Sequence, residues 1–147
     1  MEATRSATTI WQGDLLTGTG EVSSATSEHL RGVPVSWASR TEDPQGRSSP
    51  EELLAAAHSA CFSMAMSGRL AKAGHVAERL EVRADVTFEK REAGWAVAGS
   101  RLTVRGRVPG ADEATFQEAA EGARDGCPIS QALKGNVEIS VEAVLEA

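Results

Sequence analysis

The sequence predicts an α+β fold in which antiparallel strands surround one long helix. Apolar and polar residues alternate over several separate segments, as they do in half-buried strands. No charged residue lies between Glu52 and Arg69, so the helix in this region should be buried on most of its sides. Strands, then helices, then a last strand follow one another along the chain, and this order is typical of α+β proteins rather than of a doubly wound sheet.

The composition limits the possible classes of protein. A chain of 147 residues suits a single domain, 1–147, and its 41% of hydrophobic residues argues against disorder. The net charge of −6 argues against binding to nucleic acid. No apolar run has the length of a membrane span, and the N-terminus does not have the pattern of a signal peptide. We therefore expect a soluble, cytoplasmic protein, in which two cysteines are more often catalytic or redox-active than a structural disulfide.

Three short strands are predicted in the N-terminal third. Residues 8–12 and 18–23 flank the sequence GDLLT, which reads as a hairpin loop. Residues 33–39 alternate again and predict a third strand. Pro34 suits an edge position in this strand, because it has no N–H to donate to a neighbour. A polar connector then leads to the long helix.

The long helix is predicted to run from about Pro50 to Ala73. Ser49 is a good N-cap, proline occupies the favoured first helical position, and Glu52 falls three residues after the cap. This spacing predicts a capping box. Gly74 comes directly after the predicted end, where glycine is the favoured residue.

The remaining elements follow from alternation and from helix signals. Residues 80–90 alternate, and residues 95–108 are their predicted antiparallel partner. A second helix should begin at Ala111 or Asp112 and end at Gly126. A short helix beginning at Pro128 and a final strand in NVEISVEAVL complete the chain.

Two cysteines are candidates for chemistry. Cys61 lies among apolar residues of the long helix and is either an inert core residue or a reactive thiol. A reactive thiol would need a nearby cation, because burial disfavours the charged thiolate. Cys127 lies between glycine and proline at the predicted N-cap of the short helix, where backbone N–H groups favour an anion. A structural disulfide between the two is the main alternative. The scattered cysteines and histidines have no metal-ligand spacing, so no metal or other cofactor is expected.

Charged and titratable residues near the helix have less specific interpretations. His58 precedes Cys61 by three residues, so a Cys–His dyad is one hypothesis and a buried histidine bonded to the backbone is the other. Glu51 gains only the general benefit of a carboxylate at a helix N-terminus. Arg40 and Arg47 lie in the preceding connector and are solvated arginines by default.

Two segments resemble a known family. SPEELLAAAHSACFSMA and GCPISQALK resemble the two cysteine motifs of the OsmC/Ohr family (osmotically inducible protein C and organic hydroperoxide resistance), and WQGDLLTGTGEVSS is similar to its N-terminal hairpin. The segment AAHSACFSMA is more similar to the OsmC branch than to the Ohr branch of this family. The resemblance covers nearly the whole chain, from about Thr8 to Val144. It implies an OsmC-like fold and an intertwined homodimer with sites at the subunit interface.

The resemblance also implies an activity and a set of site residues. The resemblance implies a thiol-dependent peroxidase that reduces organic hydroperoxides and takes electrons from dithiols such as those of the lipoyl type. Cys61 matches the peroxidatic cysteine and Cys127 the resolving cysteine. Glu51 matches the family glutamate, and Arg40 matches the arginine of the OsmC branch with one inserted residue, which leaves Arg47 as the second choice.

A mechanism follows as a hypothesis. Arg40 stabilises the Cys61 thiolate, and Glu51 orients the guanidinium through a bidentate pair. Ten residues of helix separate Glu51 from Cys61, about 15 Å along the axis, so we expect Glu51 to act on the Cys61 of a partner chain. The apolar side chains proposed to bind the alkyl part of the peroxide are Leu53, Leu54, Phe62 and Met64, each of which has core packing as its alternative.

Two other functions remain open at this point. The first is a non-enzymatic stress-response dimer with structural cysteines. The second is a hydrolase that uses Cys61 and His58.

Overall fold

The computed structural model describes residues 1–147, which form two compact units, Met1–Leu53 and Leu54–Ala147. The boundary between the units falls within the long helix. In chain order the elements are β1 (Ala7–Gln12), β2 (Thr19–Ser24), β3 (Val33–Val35), α1 (Ala38–Thr41), α2 (Pro50–Lys72), β4 (Arg79–Arg91), β5 (Gly94–Arg107), α3 (Glu113–Gly126), α4 (Pro128–Leu133) and β6 (Glu138–Leu145). The mixture of helices and strands agrees with the predicted α+β class.

The first unit contains a three-stranded antiparallel sheet in the order β1-β2-β3. The predicted hairpin between β1 and β2 is present, and Asp14 closes its loop by accepting hydrogen bonds from the backbone N–H groups of Leu16 and Thr17 at 2.9 Å. Pro34 lies opposite Glu21 in the edge strand β3, as predicted. The missing N–H of proline is tolerated there because β3 has only one neighbour in the sheet.

The third strand is shorter than predicted. It ends at Val35, and residues that we expected to continue it form the helix α1 instead. The Ser36 N–H donates to Ser39 Oγ and the Ser39 N–H donates to Ser36 Oγ, both at 3.1 Å. Such local bonds offer the backbone an alternative to the strand ladder. The expectation of a strand over 33–39 is therefore wrong beyond Val35, and Arg40 lies on a helix rather than in a connector.

Helix α2 begins and ends where the sequence signals place it. Ser49 Oγ accepts a hydrogen bond from the Glu52 N–H at 3.1 Å, which confirms the N-cap. The Glu52 carboxylate, however, accepts from the Ser48 hydroxyl at 2.7 Å instead of completing the predicted capping box. Gly74 follows the helix with a φ of +88°, a conformation that glycine adopts at little cost.

The sheet of the second unit is mixed rather than antiparallel. The strands β4 and β5 form the predicted antiparallel hairpin, but β6 pairs with β5 in parallel. Parallel neighbours need a crossover connection, and α3 and α4 provide it between β5 and β6. Asp112 caps α3 by accepting from the Thr115 N–H at 2.8 Å, and Pro128 starts α4, so both helix starts are confirmed.

Within one chain, burial of α2 in the second unit is confined to one side, and the prediction that the helix is buried on most sides through a dimer interface stays a prediction. The buried residues lie one turn apart in the second unit and are His58, Phe62, Met66 and Leu70. The last three contact β5 and α3 in the core of that unit. Met64, on another side of the helix, is 74% exposed. The lack of charge in this stretch therefore does not reflect burial within one chain.

Gly106 offers a test of packing in this core. A Cβ atom at this position in β5 would lie 2.5 Å from the Phe116 ring and 2.9 Å from Leu80. We expect Gly106→Ala to lower the free energy of unfolding by about 1–3 kcal/mol, because overpacking forces neighbouring side chains to move. Urea unfolding measures this. The control is Gly99→Ala in the same strand, where the nearest atom is at 3.5 Å, and an equal loss in both variants would contradict the explanation.

None of the helices combines the length and the apolar character that a membrane-spanning segment requires.

Candidate active site

The second unit brings the two cysteine side chains together, although they are far apart in sequence. Cys61 is half-buried on α2 and lies near Cys127, which is fully buried at the N-cap of α4, so the Cys127 thiol affects the ionisation of Cys61. The Ile129 backbone N–H is also close enough to favour the Cys61 thiolate. Pro128 has no N–H, so the Ile129 N–H is the first donor that α4 can offer. Both cysteines are free thiols in this arrangement.

The surroundings of Cys61 favour the neutral thiol. Burial raises the pKa of the Cys61 thiol, the nearby Cys127 thiol raises it further, and the Ile129 N–H opposes these two effects. The second unit by itself therefore does not activate the thiol. The predicted lowering of this pKa by Arg40 stays a prediction, since it needs a cation that the second unit does not supply.

His58 is fully buried and uses both ring nitrogens. Its Nδ1 and the Ser100 hydroxyl are 2.7 Å apart, and its Nε2 and the Ser130 hydroxyl are also 2.7 Å apart. Burial lowers the pKa of His58, so the imidazole is neutral at neutral pH. Neither nitrogen is left to take a proton from Cys61, and this disfavours the Cys–His dyad. The histidine is buried and hydrogen-bonded, but to side chains rather than to the backbone.

The first unit contains the predicted pair of Arg40 and Glu51. Arg40 Nη2 donates to Glu51 Oε1 at 2.6 Å, and Arg40 Nε lies 3.2 Å from each carboxylate oxygen. Glu51 is 7% exposed and lies in the first turn of α2. The Arg40 guanidinium also lies 5.3 Å from the centre of the Trp37 ring, within the range of a cation–π interaction. Arg47, the second choice, is exposed.

An apolar cavity of about 320 Å³ lies beside this pair in the first unit. Arg40 is the charged residue in its lining, and the apolar lining residues include Trp11, Leu15, Trp37 and Leu53. Leu53, one of the four predicted substrate-binding residues, therefore lines the same cavity as Arg40.

The other predicted substrate-binding residues lie elsewhere. Leu54 is half-buried, whereas Met64 is 74% exposed. Phe62 is fully buried in the core of the second unit, where it has the packing role that was its alternative. The structure gives no support for its contact with a substrate.

Sequence reasoning missed the partners of these residues. Ser100 shares the buried face of β5 with Leu102 and Val104, and a hydroxyl at such a position requires a hydrogen-bond partner. Trp37 precedes Arg40 by three residues, which is one helical turn. The distance between His58 and Ser130 along the chain offers no signal of their contact.

The residues also fail to form a metal site, since no group of three or more His, Cys, Asp or Glu side chains is placed to hold an ion.

Comparison with known proteins identifies relatives over most of the chain. A family model described as OsmC-like protein matches residues 43–142. Peroxiredoxin OsmC of Escherichia coli (strain K12) is 39% identical over 132 residues, which cover 90% of this chain and 91% of that protein. Organic hydroperoxide resistance protein OhrA of Bacillus subtilis (strain 168) is 32% identical over 105 residues, which cover 70% of this chain and 72% of that protein.

A solved structure agrees with these relatives. The crystal structure of the organic hydroperoxide resistance protein OhrB of Bacillus subtilis matches with a TM-score of 0.73 and 25% identity, over 94% of this chain and 97% of that one. The resemblance and the OsmC-like fold predicted from the two cysteine motifs are thereby confirmed. This chain belongs to the family of OsmC-like proteins.

Proposed function

We propose that the protein is a thiol-dependent peroxidase that reduces organic hydroperoxides to alcohols. The observation that carries this proposal is the proximity of the Cys61 and Cys127 thiols, with Cys61 half-buried and Cys127 fully buried. A peroxide therefore has access to Cys61, and the second thiol is already in place. The names of the relatives, a peroxiredoxin and organic hydroperoxide resistance proteins, support the same chemistry.

The proposed reaction has three steps. The Cys61 thiolate attacks the distal peroxide oxygen, so that an S–O bond forms, the O–O bond breaks, and the alkoxide takes a proton to leave as the alcohol. Cys127 then attacks the Cys61 sulfenic acid, and the disulfide forms with loss of water. An external dithiol, for example one of the lipoyl type, reduces the disulfide by thiol–disulfide exchange and becomes oxidised itself.

Arg40 is the proposed source of positive charge. Its guanidinium would stabilise the Cys61 thiolate and then the departing alkoxide. Glu51 holds it through a bidentate pair, and Trp37 lies against it, so the cation is oriented before the substrate arrives. The adjoining cavity suits the alkyl part of a peroxide, because burying each CH₂ group contributes about 0.8 kcal/mol.

We also propose that the active protein is a homodimer in which Glu51 and Arg40 act on the Cys61 of the partner. Ten residues of α2 separate Glu51 from Cys61 in one chain, about 15 Å along the helix axis. A dimer interface would also cover exposed apolar residues that are present in each of the two units. These residues are Ile10, Leu15, Leu16 and Met64, which are 57–74% exposed.

A titration of peroxide against thiols tests the proposed activity. The reduced protein should show two reactive thiols, and one equivalent of cumene hydroperoxide should convert both to a disulfide and release one equivalent of cumyl alcohol. A dithiol such as dihydrolipoamide should then restore both thiols. Mass spectrometry and thiol counting with a chromogenic disulfide measure these changes.

The same titration separates the alternative function. A non-enzymatic stress-response dimer with structural cysteines predicts no stoichiometric conversion of the peroxide. If cumene hydroperoxide survives unchanged beside the two reduced thiols, the proposed activity is wrong.

A further inference from the structure

His58 connects the two parts of the structure that carry the thiols. It lies on α2 one turn before Cys61, and its Nε2 is 2.7 Å from the hydroxyl of Ser130. Ser130 lies in α4, three residues after Cys127, which is the N-cap of that helix. One side chain thus ties the helix that carries Cys61 to the helix that carries Cys127.

The hydrogen-bond network around His58 is complete and fixes the ring. Its other nitrogen, Nδ1, bonds to the hydroxyl of Ser100 on β5, also at 2.7 Å. The three side chains are at most 2% exposed, so water does not compete for these bonds. A neutral imidazole carries one N–H and one acceptor nitrogen, and each hydroxyl can take the complementary role. The ring therefore has little freedom to turn.

We propose that His58 is a positioning residue that holds Cys127 against Cys61 through Ser130 and thereby promotes formation of the disulfide. The inference rests on the proposed peroxidase function and concerns its second step. In that step the Cys127 sulfur attacks the Cys61 sulfenic sulfur, the S–S bond forms, the S–O bond breaks, and hydroxide leaves with the Cys127 proton as water. His58 exchanges no proton in it.

The physical basis is effective concentration. When two reactants are already held close together, much of the entropy that they would lose on meeting has been lost beforehand. Loosening their arrangement therefore slows the reaction. α4 has only six residues, and a helix of this length depends on its contacts for its position. Ser130 supplies one such contact at the turn next to Cys127. A purely structural histidine, by contrast, would respond equally to the loss of either hydroxyl.

A matched pair of variants tests the proposal. Ser130→Ala and Ser100→Ala each remove one hydroxyl at the same distance from the same imidazole, but only Ser130 lies in the helix with Cys127. Disulfide formation is measured in buffers of oxidised and reduced glutathione, which give the effective concentration of the two thiols without any peroxide. We expect Ser130→Ala to lower this concentration about tenfold, and Ser100→Ala to lower it at least about threefold less.

A conservative variant provides the rescue. Ser130→Thr keeps the hydroxyl that His58 contacts. It should retain the wild-type effective concentration. Equal losses in the two alanine variants, or no loss in Ser130→Ala, would overturn the proposal.

Stopped-flow kinetics with cumene hydroperoxide separates this inference from the proposed function. Ser130→Ala should form the sulfenic acid at the wild-type rate and the disulfide about tenfold more slowly. Failure of the reduced wild-type protein to consume cumene hydroperoxide contradicts the peroxidase function, whereas the glutathione measurement still tests the role of His58.

Discussion

Replacement of Cys61 by serine is expected to reduce kcat/KM for cumene hydroperoxide by more than about 1,000-fold, which corresponds to about 4 kcal/mol of transition-state stabilisation. The reason is that the thiolate is the nucleophile, and a serine hydroxyl neither ionises near neutral pH nor forms a sulfenic acid. Cys61 also has the accessible position, whereas Cys127 is fully buried. Consumption of peroxide in the presence of excess dihydrolipoamide measures the effect.

The matched control is Cys127→Ser. This variant keeps the nucleophile and should consume one equivalent of peroxide, leaving a Cys61 sulfenic acid that dimedone traps. Without the second thiol it forms no internal disulfide, so turnover then depends on the external thiol. Full activity of Cys61→Ser, or trapping of sulfenic acid at Cys127, would show that the roles of the two cysteines are assigned incorrectly.

The second large effect is expected for the ion pair of Arg40 and Glu51. The side chains of Arg40 and Glu51 are 26% and 8% exposed, and three hydrogen bonds join them. Arg40→Met leaves a buried carboxylate without its partner, which should lower the free energy of unfolding by about 3 kcal/mol. The double variant Arg40→Met/Glu51→Gln removes that charge and should recover most of the loss. Urea unfolding of the wild-type protein, the two single variants Arg40→Met and Glu51→Gln, and the double variant gives the coupling energy between the two side chains.

Activity distinguishes a catalytic role for Arg40 from a structural one. If Arg40 stabilises the Cys61 thiolate, both the single and the double variant should lose about 100-fold in kcat/KM, even though the double variant regains stability. A double variant with restored activity would limit Arg40 to a structural role. Arg83→Met serves as the control, because Arg83 and Asp85 form an exposed pair whose loss should leave the unfolding midpoint unchanged.

Much of the fold follows from local signals in the sequence. Ser49 and Pro50 mark the start of α2, Gly74 marks its end, and Asp112 caps α3, and all four act in the structure as their residue types suggest. These signals are readable because a cap or a turn depends on a few neighbouring residues. The prediction of a strand over 33–39 was wrong for a related local reason. The side chains of Ser36 and Ser39 accept hydrogen bonds from each other's backbone N–H groups, and the helix α1 begins there.

The direction of β6 was not readable from the sequence. Alternation shows that a segment is a strand, but it carries no information about which neighbour the strand meets or in which direction. The crossover through α3 and α4 decides that β6 is parallel to β5. The exposure of Met64 was missed in the same way, because an apolar stretch without charge looks alike whether a core or another surface covers it.

The sequence by itself indicated the family, the two candidate cysteines and Glu51, because motifs with fixed spacing carry this information, while it left Arg40 and Arg47 as alternatives for the arginine. Only the tertiary structure showed that the Cys61 and Cys127 thiols lie near each other, that the Ile129 N–H favours the Cys61 thiolate, and that His58 joins two serines. The physical reason is that a hydrogen bond acts over about 3 Å and depends on where distant segments meet. Residue types indicate which groups can bond, and the packing of α2, β5 and α4 decides which of them do.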